Sequence, residues 1–103
     1  MAERFLCIHG HFYQPPREDP FTGVIPQEPG AFPYPNWNER IHAECYRPNV
    51  ELGNFKRISF NLGPTLFDWL LRDHPETAQM IAQQDQENVR KFGVGNAMAQ
   101  AYN

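Results

Sequence analysis

Two histidines, His9 and His11, flank a glycine and lead through Phe12 and Tyr13 into Gln14-Pro15-Pro16. Imidazoles donate, accept or bind metal near neutral pH, and the Gln14 amide offers both a carbonyl and an NH2 group. Further along, Asn61 closes a short alternating segment, and Tyr34 and Trp37 stand beside a proline-rich stretch. Asn61 is a candidate substrate ligand, and flat aromatic rings suit the C–H face of a pyranose. The same residues admit a plainer account. The histidines then satisfy backbone groups in a turn, Asn61 caps the turn after it, and the aromatics pin a loop.

These side chains need elements to hold them. Phe5-Leu6-Cys7-Ile8 is a continuous apolar run ahead of Gly and Pro, which predicts a first strand, Arg4 to Ile8, buried on both faces. His9 to Pro16 is then its C-terminal loop. In α/β sheets that edge gathers the loops that bind ligands. Arg57 to Asn61 predicts a second strand. Gly63-Pro64 opens a helix with Pro in its first position, and Leu66, Phe67, Leu70 and Leu71 form its apolar stripe. A second helix is expected from His74-Pro75-Glu76 to about Phe92, with a thin stripe of Ala78, Ile81, Val89 and Phe92. Asn38 is expected to cap a short helix carrying Ile41 and Cys45 and ended by Pro48. Glu39, Arg40, His42 and Glu44 are read as mostly solvated, and His74 as a capping or exposed residue.

Ten prolines, eight of them between Pro15 and Pro48, mark Arg17 to Pro35 as an ordered, irregular loop. Phe21 and Phe32 are expected to pin it to the body. Asn49 to Lys56 reads as a linker with a Gly53-Asn54 turn, and Ala97 to Tyr102 as the start of something helical. A long crossover containing a helix makes the two strands parallel and adjacent.

At 103 residues the chain forms one domain at most, 1–103. A net charge of −3 and a pI near 5.7 give no general attraction to nucleic acid or anionic membranes. No apolar run approaches the roughly 20 residues of a membrane span, and the N-terminus lacks signal-peptide character. Cys7 and Cys45 lack CxxC spacing and read as reduced packing residues, so the expected compartment is cytoplasmic.

His11-Phe12-Tyr13-Gln14-Pro15 resembles the His-x-His-Gln-Pro signature of glycoside hydrolase family 57, the α-glucan-active amylases and glucanotransferases, with Tyr13 in place of the second His. Trp37–Ile41, Ala43–Tyr46, Ile58–Leu66 and Gly95–Gln100 resemble blocks of a subgroup of that family, in the expected order. The resemblance implies an α/β fold, the N-terminal part of a (β/α)7-type barrel. It also implies a retaining glycosidase or glucanotransferase whose catalytic Glu and Asp lie on later strands, in the remainder of a parent chain. No catalytic residue, metal ligand or cofactor is expected in 1–103, and the chain alone is expected to be inactive. Its implied contribution is to bind an α-glucan or oligosaccharide. His11 would lie beside the sugar at the cleavage point and Gln14 on its hydroxyls, with His9, Tyr13, Trp37 and Asn61 as further contacts.

Two other readings stay open. His9 and His11 can begin a metal-hydrolase site, though such a site needs at least three protein ligands and neither His42 nor His74 has the spacing to complete it. A non-catalytic carbohydrate-binding fragment would use Tyr34 and Trp37 as its platform.

Overall fold

The computed structural model describes residues 3–99. Its sheet is a parallel pair, β1 (His9–Phe12) and β2 (Ser59–Leu62), in register His9 to Ser59 through Phe12 to Leu62. Parallel, adjacent strands joined by a helical crossover are what the chain order predicts. The strand limits differ. β1 begins where the apolar run ends, and Phe5, Leu6 and Ile8 are exposed (90, 85 and 56%). The reason lies in the period. Gly10 and Phe12 alternate with His9 and His11, and Phe60 and Leu62 with Ser59 and Asn61, so each strand has one core face and one polar face. Phe60 is buried and Phe12 and Leu62 pack against the core; the polar side chains turn away from it. The sheet is covered on one face, not two.

Four α-helices are described: α1 (Trp37–Ile41), α2 (Arg47–Glu51), α3 (Pro64–Asp73) and α4 (Pro75–Phe92). Asn36, not Asn38, caps α1, its side chain accepting from Glu39 N–H at 2.9 Å. Pro48 does not end this region. A π-helical turn, His42–Tyr46, joins α1 to α2, with Arg47 N–H reaching the His42 carbonyl. Pro48 then follows the π turn inside one continuous helical path, since Tyr46 and Arg47 keep helical angles. The Asn49 side chain donates to the Cys45 carbonyl at 2.7 Å. The expected linker is thus partly helix. Gly53 turns the chain in the left-handed region (φ 72°), and Phe55 beyond it is fully buried.

α3 starts at Pro64 as expected, but its inward face is Leu66, Trp69 and Leu70, while Leu71 is half exposed. α4 buries Ala78 and Ile81; Val89 and Phe92 stay exposed (45 and 66%), and Thr77 and Asn88 are buried instead. The core unites Tyr46, Val50, Phe55, Phe60, Leu66, Trp69, Leu70, Ala78 and Ile81. Phe21 and Phe32 do not pin the proline loop, being 95 and 80% exposed; Ile25 packs against the core in their place. Asp19 folds the first part of that loop on itself, its carboxylate accepting from the N–H groups of Phe21 and Thr22. Cys7 is exposed and Cys45 half-buried, both as free thiols.

Beyond α4 the chain returns to the sheet. Phe60 N–H donates to the Asn96 carbonyl (3.1 Å) and Met98 N–H to the Phe60 carbonyl (2.7 Å), a parallel bridge at Ala97. The start of a helix expected at Ala97 is instead a strand-like bridge beside β2; residues 100–102 of that expectation lie outside the described residues. The chain order across the sheet is β1, β2, then this third segment. Among the described residues no helix is long and apolar enough to cross a membrane.

Candidate functional site

Register and period bring His9, His11, Ser59 and Asn61 onto one face of the strand pair. Asn61 Oδ1 accepts from His9 Nε2 (3.1 Å) and from His11 Nδ1 (2.9 Å), and the Ser59 hydroxyl meets His9 Nδ1 at 2.8 Å. One carbonyl oxygen therefore selects both tautomers. With its N–H on Nε2, His9 accepts a hydrogen bond from the Ser59 hydroxyl on Nδ1. His11 carries its proton on Nδ1, which makes Nε2 an acceptor. Tyr13, half exposed, lies nearly parallel to the His11 ring (10°, centroids 6.1 Å apart). Of the residues singled out in the sequence, His9, His11, Tyr13 and Asn61 are thus brought together. Among the described residues no third His, Cys, Asp or Glu joins the two histidines as a ligand group.

Gln14 lies elsewhere. It is buried, its Nε2 donating to Tyr46 Oη (2.7 Å) and its Oε1 accepting from Arg17 Nη1 (2.5 Å). The same Arg17 nitrogen donates to Asn38 Oδ1 (2.6 Å), and Thr65 Oγ1 donates to the Gln14 carbonyl (2.5 Å). Burial pushes the Tyr46 phenol above its usual range against the pull of the Gln14 bond. Gln14 therefore ties the loop after β1 to α1, the π-helical turn and α3, and both ends of its amide are engaged inside the protein. Trp37 is also occupied, with Gly30 against its indole and the Arg40 guanidinium 5.2 Å from its ring centre.

A second cluster was not legible from spacing. Glu39 Oε2 meets His74 Nε2 at 2.8 Å, the His42 ring stacks on His74 (3.7 Å, 17°), and His42 Nε2 meets Thr77 Oγ1 at 2.8 Å. Trp69 packs against both imidazoles. His42 is buried, not solvated, against Trp69, His74 and Thr77 of the α3–α4 junction. Burial, with His74 and Arg47 nearby, lowers its pKa to about 4. His74 holds the cap position between α3 and α4 as expected, its carbonyl accepting from the Thr77 and Ala78 N–H groups, while its side chain is half-buried and paired, not exposed. A contact across 35 residues of chain leaves no local signal.

No family model, curated protein or solved structure matches the chain.

Proposed function

We propose that the chain supplies sugar-binding groups to an α-glucan-active retaining glycosidase or glucanotransferase resembling glycoside hydrolase family 57. Its strands would be the first of a (β/α)7-type barrel completed by the remainder of a parent chain. The observation that carries this reading is the polar face of the parallel pair. Helices cover the apolar face, as on the outside of a barrel, and His9, His11, Ser59 and Asn61 occupy the other. In a barrel that other face is the interior, where ligand groups cluster toward the C-terminal strand ends.

The chemistry fits hydroxyl recognition. His11 Nε2 is an acceptor held in place by its partner bond to Asn61, and Tyr13 beside it adds a phenol and a flat face. This arrangement favours sugar over a metal at His9 and His11, because Ser59 and Asn61 engage both His9 nitrogens and, among the described residues, no third His, Cys, Asp or Glu donor joins the pair. It also favours His11 and Tyr13 over Trp37, whose ring Arg40 and Gly30 occupy. Calorimetric titration with maltoheptaose tests the reading. Asn61→Ala removes the acceptor the two imidazoles share and is expected to weaken binding at least about tenfold, the effect of roughly 1.4 kcal/mol. Binding unchanged by both Asn61→Ala and His11→Ala would refute it.

A further inference from the structure

We propose that Glu39, His42 and His74 form a binding site for a divalent transition metal ion, with zinc the ion best suited to the donors. One donor atom from each residue lies within 4.8 Å of the other two. Two imidazoles and one carboxylate are a common zinc donor set, and three protein ligands leave a fourth position open. This site is separate from the polar sheet face and does not rest on the sugar-binding reading.

The local fold assembles the donors. Glu39 and His42 are three residues apart, at the junction of α1 and the π-helical turn. One-turn π insertions recur at functional sites because they redirect side chains that a regular helix would send elsewhere. His74 comes from the break between α3 and α4. His42 is anchored, with Thr77 on its Nε2 and Trp69 beside the ring. A second partner on a ligating imidazole is what fixes its orientation. Glu39 and His74 are each about a quarter exposed (27% for both side chains), so both reach the surface.

Bonds of about 2.0–2.1 Å in a tetrahedral site set donors roughly 3.3 Å apart. Glu39 Oε2 and His74 Nε2, now 2.8 Å apart, must therefore open slightly, and the His74 ring must turn out of its stack on His42 for both imidazoles to face one ion. A cleft lined by Arg47, Asp73, His74, Pro75, Glu76 and Thr77 reaches one of the three donors, His74, and the partner of His42, Thr77. Asp73 and Glu76 offset the Arg47 charge at its mouth, and Glu39 adds a further negative charge at the site. Bound metal would clasp the first helical stretch to the α3–α4 junction.

The test uses the purified full chain, stripped with chelator and titrated with zinc, then with cobalt as a spectroscopic probe of ligand geometry. One equivalent of zinc is expected, with tetrahedral cobalt absorption and a raised melting temperature. Glu39→Gln and His74→Asn change partly exposed side chains, and circular dichroism checks that each variant keeps its helices. Each should weaken zinc binding at least about tenfold, as should Thr77→Val, which removes only the partner of His42. His9→Asn/His11→Asn should bind zinc as the parent does. The proposal is overturned if the parent chain takes up no stoichiometric zinc. It is equally overturned if folded His74→Asn binds zinc undiminished, or if loss follows the His9/His11 substitution instead.

Discussion

Replacing Gln14 with Ala separates a ligand from a structural tie. Gln14 is 5% exposed and bridges Tyr46 and Arg17 through the two ends of its amide. Truncation leaves the Tyr46 hydroxyl buried without this partner, at a cost of about 1–3 kcal/mol. It also removes a bond from a charged donor, worth roughly 1.5–3 kcal/mol, although Arg17 keeps Asn38 and Glu28 and recovers part of this. The expected loss is about 2–4 kcal/mol, read as a lowered urea midpoint at unchanged slope. The Gln14→Ala/Tyr46→Phe double variant should lose less than the sum of the singles, by about 1 kcal/mol, since the two side chains share one bond. Stability within about 0.5 kcal/mol of the parent, together with weakened maltoheptaose binding, would refute this account and return Gln14 to the substrate.

Other outcomes follow from single contacts. Asn36→Ala removes the cap on Glu39 N–H and should cost about 1 kcal/mol in chemical denaturation. Gly95→Ala sets a Cβ 2.5–2.7 Å from the Asp85 carboxylate, which also holds the N–H groups of Asn96 and Ala97. Hydrogen exchange at the Phe60 and Met98 amides should accelerate, because their bridge depends on that segment. Burial pushes the Cys45 thiol up, with a weaker opposing bond from Asn49, so less thiolate is present at any given pH. Iodoacetamide should therefore label exposed Cys7 before Cys45 between about pH 7 and 9. Phe5→Ser/Leu6→Ser should reduce binding of an apolar dye, since both side chains stand exposed.

What was legible in the sequence is what local chemistry controls. Pro64 at a helix start, the Leu66–Leu70 spacing and the long crossover led to α3 and to a parallel pair. The strand limits misled because Phe5 to Ile8 has the stronger apolar signal, yet the register needs the alternation at His9–Phe12. Pro48 misled for a related reason: the helical path runs on through it, because the π-helical turn just before it already departs from the regular i→i−4 ladder that a proline interrupts. His9, His11 and Asn61 were individually visible, but their sharing of one oxygen depends on register. The Glu39–His42–His74 cluster depends on the packing of two distant segments, and no spacing rule reaches it.

The central claim is that the polar face of the strand pair meets sugar, and nuclear magnetic resonance of the uniformly labelled chain tests it most directly. Titration with maltoheptaose should shift the imidazole signals of His9 and His11, the Asn61 side-chain amide and the Tyr13 ring, with saturation at one common affinity. Gln14 and the indole of Trp37 should move little. Shifts confined to Trp37 and the proline loop, or no shifts at any sugar concentration, would contradict the account.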